Sequence, residues 1–497
     1  MVPSTPSTGA QSGTAERQSL GLQRLAAVCP DFFMENLKDA YLPKNQSAIK
    51  LSWPKEGNTK RAVVAKAPAT SKSSHDSVCP MSNSDAHIIN VTCEDIAVQY
   101  RYTGSVPNES THPIFQVPSV WDARMLETGE HELLEYFQTV ASRSLPTFGQ
   151  DPVKIGQILL RIAYAGDGTS SGVAVQQALL AFSSAHRHSV HSRGTEYKIA
   201  ALQSLADLSG CELGTTEAVR HVATGMLLCS YEMHHSSCTT GHWLSYLCGI
   251  QEIIQLTGLD TVHQDPDLDV LLDWVYYYNV LARFSRQHWQ REQFAGIQLA
   301  PMRRHGEASA AATSPLAYID LLSEMCDGAV APAPTGASRA RMTDHRNYLE
   351  ILDWKIRSLP ITYSLESGSN VELRLELYRL AMLIYLNRAS DDALNQAAKT
   401  QQQVEQGFDI LSGLEFCDQQ FPVFILGCEA RNDGEREAVL RLIQRTEEHG
   451  TCRAFNYVSR LLEVWWAQRD LGSDRDLRYW AQLSDVISRC AVLPTFV

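Results

Sequence analysis

The chain has 497 residues, 44% of them apolar and 20% charged, a balance that excludes a wholly disordered polymer and leaves room for several domains of roughly 100–200 residues. A formal net charge of −13 argues against a protein that coats nucleic acid along its whole length. No run approaches the ~18 consecutive apolar residues of a membrane-spanning helix. The opening MVPSTPSTGAQSGTAERQSL has no secretory apolar segment, so a soluble intracellular protein is expected.

Residues 1–20 are rich in Ser, Thr, Gln and Gly, which predicts disorder, and residues 1–47 are assigned to a disordered tail. The first 80 residues carry ten Lys/Arg and six Asp/Glu, a net of +4, against −17 for the remainder. A mildly basic head on an acidic body fits a regulator with a small DNA-facing end, and equally an ordinary basic tail. Ile49, Leu51 and Trp53 alternate with polar residues, Glu56-Gly57-Asn58 can turn the chain, and Ala62-Val63-Val64 can return as a partner strand. A linker is predicted over 65–86. Ile96, Val98, Tyr100 and Tyr102 alternate again, so residues 48–125 form a segment with short strands.

From Glu130 onward the period is helical. Val219, Val222, Ala223, Met226, Leu227 and Ser230 share one face, as do Trp243, Leu247, Ile250 and Ile254. Further stripes run through Leu373, Leu377, Leu380, Ala381 and Ile384, and through Phe455, Val458, Leu461, Leu462, Trp465 and Trp466. About a dozen such segments of ~10–20 residues are predicted, punctuated by Gly, Pro and Asp/Asn. Breaks fall at 300–315 and at GAVAPAPTGAS, 328–338. No fixed repeat length supports a solenoid. The expectation is an all-α protein whose residues 126–497 form one large multi-helix domain.

Catalytic motifs are sparse. Gly168-Thr169-Ser170-Ser171-Gly172 matches the G-x-S-x-G nucleophile elbow, which needs a strand turning sharply into a helix. Here it joins two helical segments, so a Gly/Ser loop is the preferred reading. His234, His235, Cys238 and His242 are zinc-ligand types, yet no fourth ligand is set by spacing and no HExxH occurs, which favours polar packing between helices. His186, His188 and His191 fall near a helix end, facing water or capping it. Neither a P-loop nor GxGxxG after a strand is present. The sequons at Asn45, Asn90 and Asn108 are not expected to be glycosylated without a secretory signal. Lys60-Arg61 and Arg303-Arg304 are too short to be import signals by themselves. No catalytic, cofactor-binding or metal-binding residue is assigned.

Among the 12 cysteines no two are spaced C-x2-C; the nearest, Cys229 and Cys238, lie nine apart. Reduced thiols in a core are expected. Tight zinc-finger or redox pairs are not seen.

Several segments, in order, resemble the helical effector domain of fungal zinc-cluster transcription factors, and most nearly the acriflavine-sensitivity control type. They are QQALLAFSSAHRHS from Gln176, YKIAALQSLADL from Tyr197, Tyr231-Glu232 with HWLSYLCGIQEIIQLTG from His242, FPVFILGCEARNDGERE from Phe421, and LLEVWWAQRD from Leu461. AIKLSWPKEGNTKRAVV from Ala48 is similar to the stretch that follows the zinc cluster in those proteins. The resemblance covers 48–64 and about 130–495. It implies a nuclear, pathway-specific regulator, with control of a secondary-metabolite gene cluster among the family's roles. Implied partners are transcription machinery or co-regulators, promoter DNA reached directly or through a zinc-cluster partner, and a second copy of the chain.

One departure matters for mechanism. The family's six-cysteine, two-zinc cluster should precede the LSWP segment, where only Cys29 occurs, so no DNA-reading residue carries over. Either the protein regulates without a cluster of its own or an upstream exon is missing. The alternatives weighed are a helical cytoplasmic scaffold and an α-helical hydrolase or metal enzyme built on Ser170 or on His234–His242.

Overall fold

The computed structural model describes residues 128–497 except 146, 165–168, 189–192, 207–212, 235–240, 262–264, 291–298, 303–314, 328–329, 331–337, 361–369, 451–455, 472–477 and 491. The chain divides into two units, and every described residue belongs to the one containing residues 119–497. The strands expected within 48–125 and the disorder expected over 1–47 lie outside the described residues.

Among those described, fifteen α-helices and no strand occur. In chain order they are α1 Thr128–Thr139, α2 Pro152–Tyr164, α3 Ser170–His188, α4 Gly194–Ala206, α5 Thr215–His234, α6 His242–Thr257, α7 Pro266–His288 and α8 Leu316–Asp327. They continue as α9 Arg339–Arg357, α10 Asn370–Ala389, α11 Ala397–Gly413, α12 Gln420–Glu429, α13 Asp433–Gly450, α14 Asn456–Leu471 and α15 Tyr479–Ser488. The all-α expectation is met. The two expected breaks fall between α7 and α8 and between α8 and α9.

Local chemistry sets the helix ends. Asp265 precedes Pro266, and its carboxylate accepts from the N–H groups of Asp267 and Leu268 while proline occupies the first turn, so α7 starts where its free N–H groups are satisfied. Asp151 does the same for α2, accepting from Val153 N at 2.9 Å. Gly258, at φ 64°, ends α6 by donating its N–H to the Ile254 carbonyl, a left-handed cap that suits glycine. Between α10 and α11 the turn instead uses Asp391, Asp392 and Asn395 at positive φ, residue types that tolerate that region.

α3 packs against α1, α2, α4 and α5, and α5 packs in turn against α6. Farther along the chain, α10 contacts α9, α11 and α12, while α12 contacts α14. α7 touches α5, α6, α8 and α15, linking the earlier helices to the later ones. All ten residues of α12 are buried. Its last carbonyls are still satisfied: Trp465 Nε1 donates to Cys428 O at 2.8 Å, Trp466 Nε1 to Gly427 O at 2.9 Å, and Arg469 Nη1 to Cys428 O at 3.1 Å. Gly427 lets α14 approach, because a Cβ there would stand 2.6 Å from Leu462.

After α15 the last residues turn inward. Phe496 packs its ring 5.5 Å from Phe284 and 4.7 Å from Phe424. Leu493 O accepts from Trp243 Nε1 at 3.3 Å. The described cysteines are all free thiols. Burial pushes Cys326 and Cys417 up to about 12 and Cys248 up to about 11, the behaviour of core residues rather than nucleophiles. No described helix is long and apolar enough to cross a membrane.

Candidate functional site

Charges and polar side chains gather where α3, α4, α5 and α6 meet. α5 brings most of them in, because nearly every residue from Ala218 to His234 is buried, polar ones included. Lys198 of α4 and Glu232 of α5 form a buried ion pair. The ammonium also lies 5.8 Å from the Tyr231 ring and 5.9 Å from the Tyr246 ring, so its charge meets a carboxylate and two aromatic faces. Thr195 Oγ1 and Tyr231 OH are 3.2 Å apart. Burial, the largest influence, lifts Tyr231 to about 12.

The structure distributes the histidines to different neighbours. His234 ends α5 with Nδ1 3.2 Å from Ser230 O and its ring against Phe182 and His186 at 5.0 and 5.7 Å. Burial, aided by His186, holds it near pKa 4, and its Nε2 has no hydrogen-bond partner among the described residues. His186 instead meets Tyr136 OH through Nδ1 at 2.9 Å. His242 opens α6, where burial lowers its pKa while Glu232 raises it and Lys198 lowers it. His188 ends α3; His191, His235 and Cys238 lie outside the described residues. No three His, Cys, Asp or Glu side chains among those described gather to hold a metal ion.

Ser170 sits exposed in the first position of α3, and among the described residues the element before it is the helix α2, not a strand. Its neighbours are the ones engaged. Arg220 of α5 donates from Nη1 to Thr169 Oγ1 at 2.7 Å and to Ser171 Oγ at 3.2 Å. Thr169 Oγ1 also caps α3 by accepting from Gly172 N at 3.3 Å. The end of α2 abuts this point, and its Ala163 carbonyl accepts from Gln176 Nε2 at 3.2 Å. Sequence patterning missed Arg220, Lys198 and Glu232. The available signal was a charged residue set inside an apolar stretch, as in Val219-Arg220-His221-Val222.

A second polar knot lies in the core at His288. Gln287 Nε2 donates to Tyr385 OH at 2.8 Å, which directs the phenol proton to His288 Nε2, also at 2.8 Å. Nδ1 is then the protonated nitrogen, donating to Ser484 Oγ at 3.2 Å. Burial lowers His288 to about 3.

The outer surface carries a different feature. α9 buries Leu349, Leu352 and Ile356 but leaves Trp354 67%, Met342 56% and Ile351 51% exposed, with Arg339, Arg341 and Arg346 also exposed on the helix. A polar cleft of about 380 Å³ lies between α1 and α2, lined by Glu135, Gln138, Arg143 and Gln157 among others.

The family model for the fungal specific transcription factor domain matches residues 132–488, and the chain belongs to that family. A protein of Pestalotiopsis fici described as transcription factor iacI is 45% identical over 389 residues, covering 77% of this chain and 100% of that relative. No solved structure matches the chain.

Proposed function

We propose that this chain is a fungal, pathway-specific regulator of transcription that acts in the nucleus through its helical body, by binding rather than by catalysis. Family membership across 132–488 carries the reading, and the Pestalotiopsis relative, described as a transcription factor, supports it. The finer assignments belong to this proposal: the acriflavine-sensitivity control type, control of a secondary-metabolite gene cluster, and self-association. So does the partition into a tail over 1–47, a linking segment over 48–125 and a regulatory domain over 126–497. In this reading the helical body engages transcription machinery or co-regulators, and promoter DNA is reached directly or through a zinc-cluster partner. The exposed face of α9, aromatic and basic, has the composition of a protein contact.

Chromatin occupancy of the protein expressed from its own locus tests this. The epitope belongs in the segment between α8 and α9, because Phe496 and Val497 are buried and a fusion at Val497 would displace them. Discrete peaks over a confined set of promoters are expected. A CGG-type half-site beneath them would identify zinc-cluster reading, by this protein or a partner. Background-level signal from intact, expressed protein would overturn the regulator reading.

A further inference from the structure

We propose that Arg220, Thr169 and Ser171 form a binding site for a tetrahedral oxyanion of the phosphate class, either phosphate itself or the head of a small phosphomonoester. The observation behind this is an imbalance of buried charge. Lys198, Arg220 and Arg283 are the buried cations among the described residues, at 6%, 3% and 9% exposure. Lys198 pairs with Glu232 and Arg283 with Asp327. Arg220, the most buried of the three, has no carboxylate partner among the described residues: only Nη1 is engaged, and by two neutral hydroxyls.

A guanidinium taken out of water without an anion is costly, and structures resolve that cost by supplying one. Glu217, one turn earlier on α5, does not serve. Its Oε2 is turned back toward the start of its own helix, 2.6 Å from where a Cβ on Gly214 would stand.

The surroundings suit an anion. Arg220 points at the first turn of α3, where N–H groups and the helix dipole favour negative charge. Thr169 is exposed, so a small ligand can approach from solvent, and its hydroxyl is already within Arg220's reach. The guanidinium's Nε and Nη2, which make no hydrogen bond among the described residues, offer two further parallel donors. The two hydroxyls and the helix N-terminus stand on the Nη1 side of the guanidinium, and Nε and Nη2 add donors along its other edge. A phosphate has oxygens for all of them, whereas a planar carboxylate has two.

The test uses the full-length chain and inorganic phosphate. Phosphate should raise the melting temperature saturably, beyond chloride or acetate at matched ionic strength, and broaden the phosphate 31P resonance when protein is added. Arg220→Gln should weaken the affinity by about tenfold or more. Arg220→Lys, which keeps the charge but gives up the fork, should fall between that variant and the parent. Thr169→Val, a change at an exposed position, keeps the test decisive if Arg220→Gln fails to fold, and should also bind phosphate more weakly. Identical responses to phosphate and chloride would overturn the site. Equal binding of acetate would overturn the tetrahedral assignment, and unaltered phosphate affinity in Thr169→Val and Arg220→Lys would place the ion elsewhere.

Discussion

Lys198 sits in the run Tyr197-Lys198-Ile199-Ala200-Ala201, where a sequence reader sees one solvated charge on a helix; the structure buries it against Glu232, 34 residues away. Removing one member of such a pair strands the other in a medium that cannot solvate it, at a cost of roughly 3–5 kcal/mol. Lys198→Met alone should therefore lower the unfolding free energy by about that amount, and Lys198→Met with Glu232→Leu should recover much of it; urea denaturation of the two singles and the double measures the coupling. The histidines make a pH prediction. His234 and His288 stay neutral in the folded chain down to about 4 and about 3, whereas the unfolded chain takes up those protons near 6.5. Between those values the unfolded state holds more protons, so stability is full above pH 6.5 and falls as pH drops toward 4. The slope for each residue approaches about 1.4 kcal/mol per pH unit, and His288→Gln should flatten it when unfolding free energy is measured across that window.

At the scale of elements, periodicity located helices well and described their faces less well. The stripe Val222, Ala223, Met226, Leu227 correctly places α5 and one buried face. The same helix, however, also buries Arg220, His221, Thr224 and Glu232, because neighbours surround it. Several of its polar groups find local or tertiary partners, such as Thr224 Oγ1 donating to Arg220 O at 2.8 Å and Ser230 Oγ lying 3.2 Å from Tyr278 OH. Helix-period patterning reads one apolar face and has no signal for a helix enclosed all round. In α9 the reverse holds, since an aromatic residue faces water. Leu352→Ala should cost about 2–5 kcal/mol, whereas Trp354→Ser should stay within about 0.5 kcal/mol of the parent. Thermal or chemical denaturation of both variants tests which face of α9 the core uses.

For the whole molecule, the last residues act as a core element. Phe496 fills space between α7 and α12, and the Leu493 carbonyl satisfies the Trp243 indole of α6 across 250 residues of chain. Phe496→Ala should therefore lower global stability by about 3–5 kcal/mol, read by denaturation of the intact chain; a loss under about 1 kcal/mol would show that the terminal segment is peripheral. The sequence alone determined the all-α class and the stretches in which several helices lie, because an apolar period of 3.6 acts within a few residues of chain. Family membership was legible for a related reason: the order of those helical segments along the chain is itself sequence. Tertiary structure alone decided which charges acquire partners, how the histidines divide between environments, and that Arg220 lies buried beside Thr169 and Ser171. Each of those depends on residues brought together from distant parts of the chain, and a buried charge differs from a solvated one only in what folding places beside it.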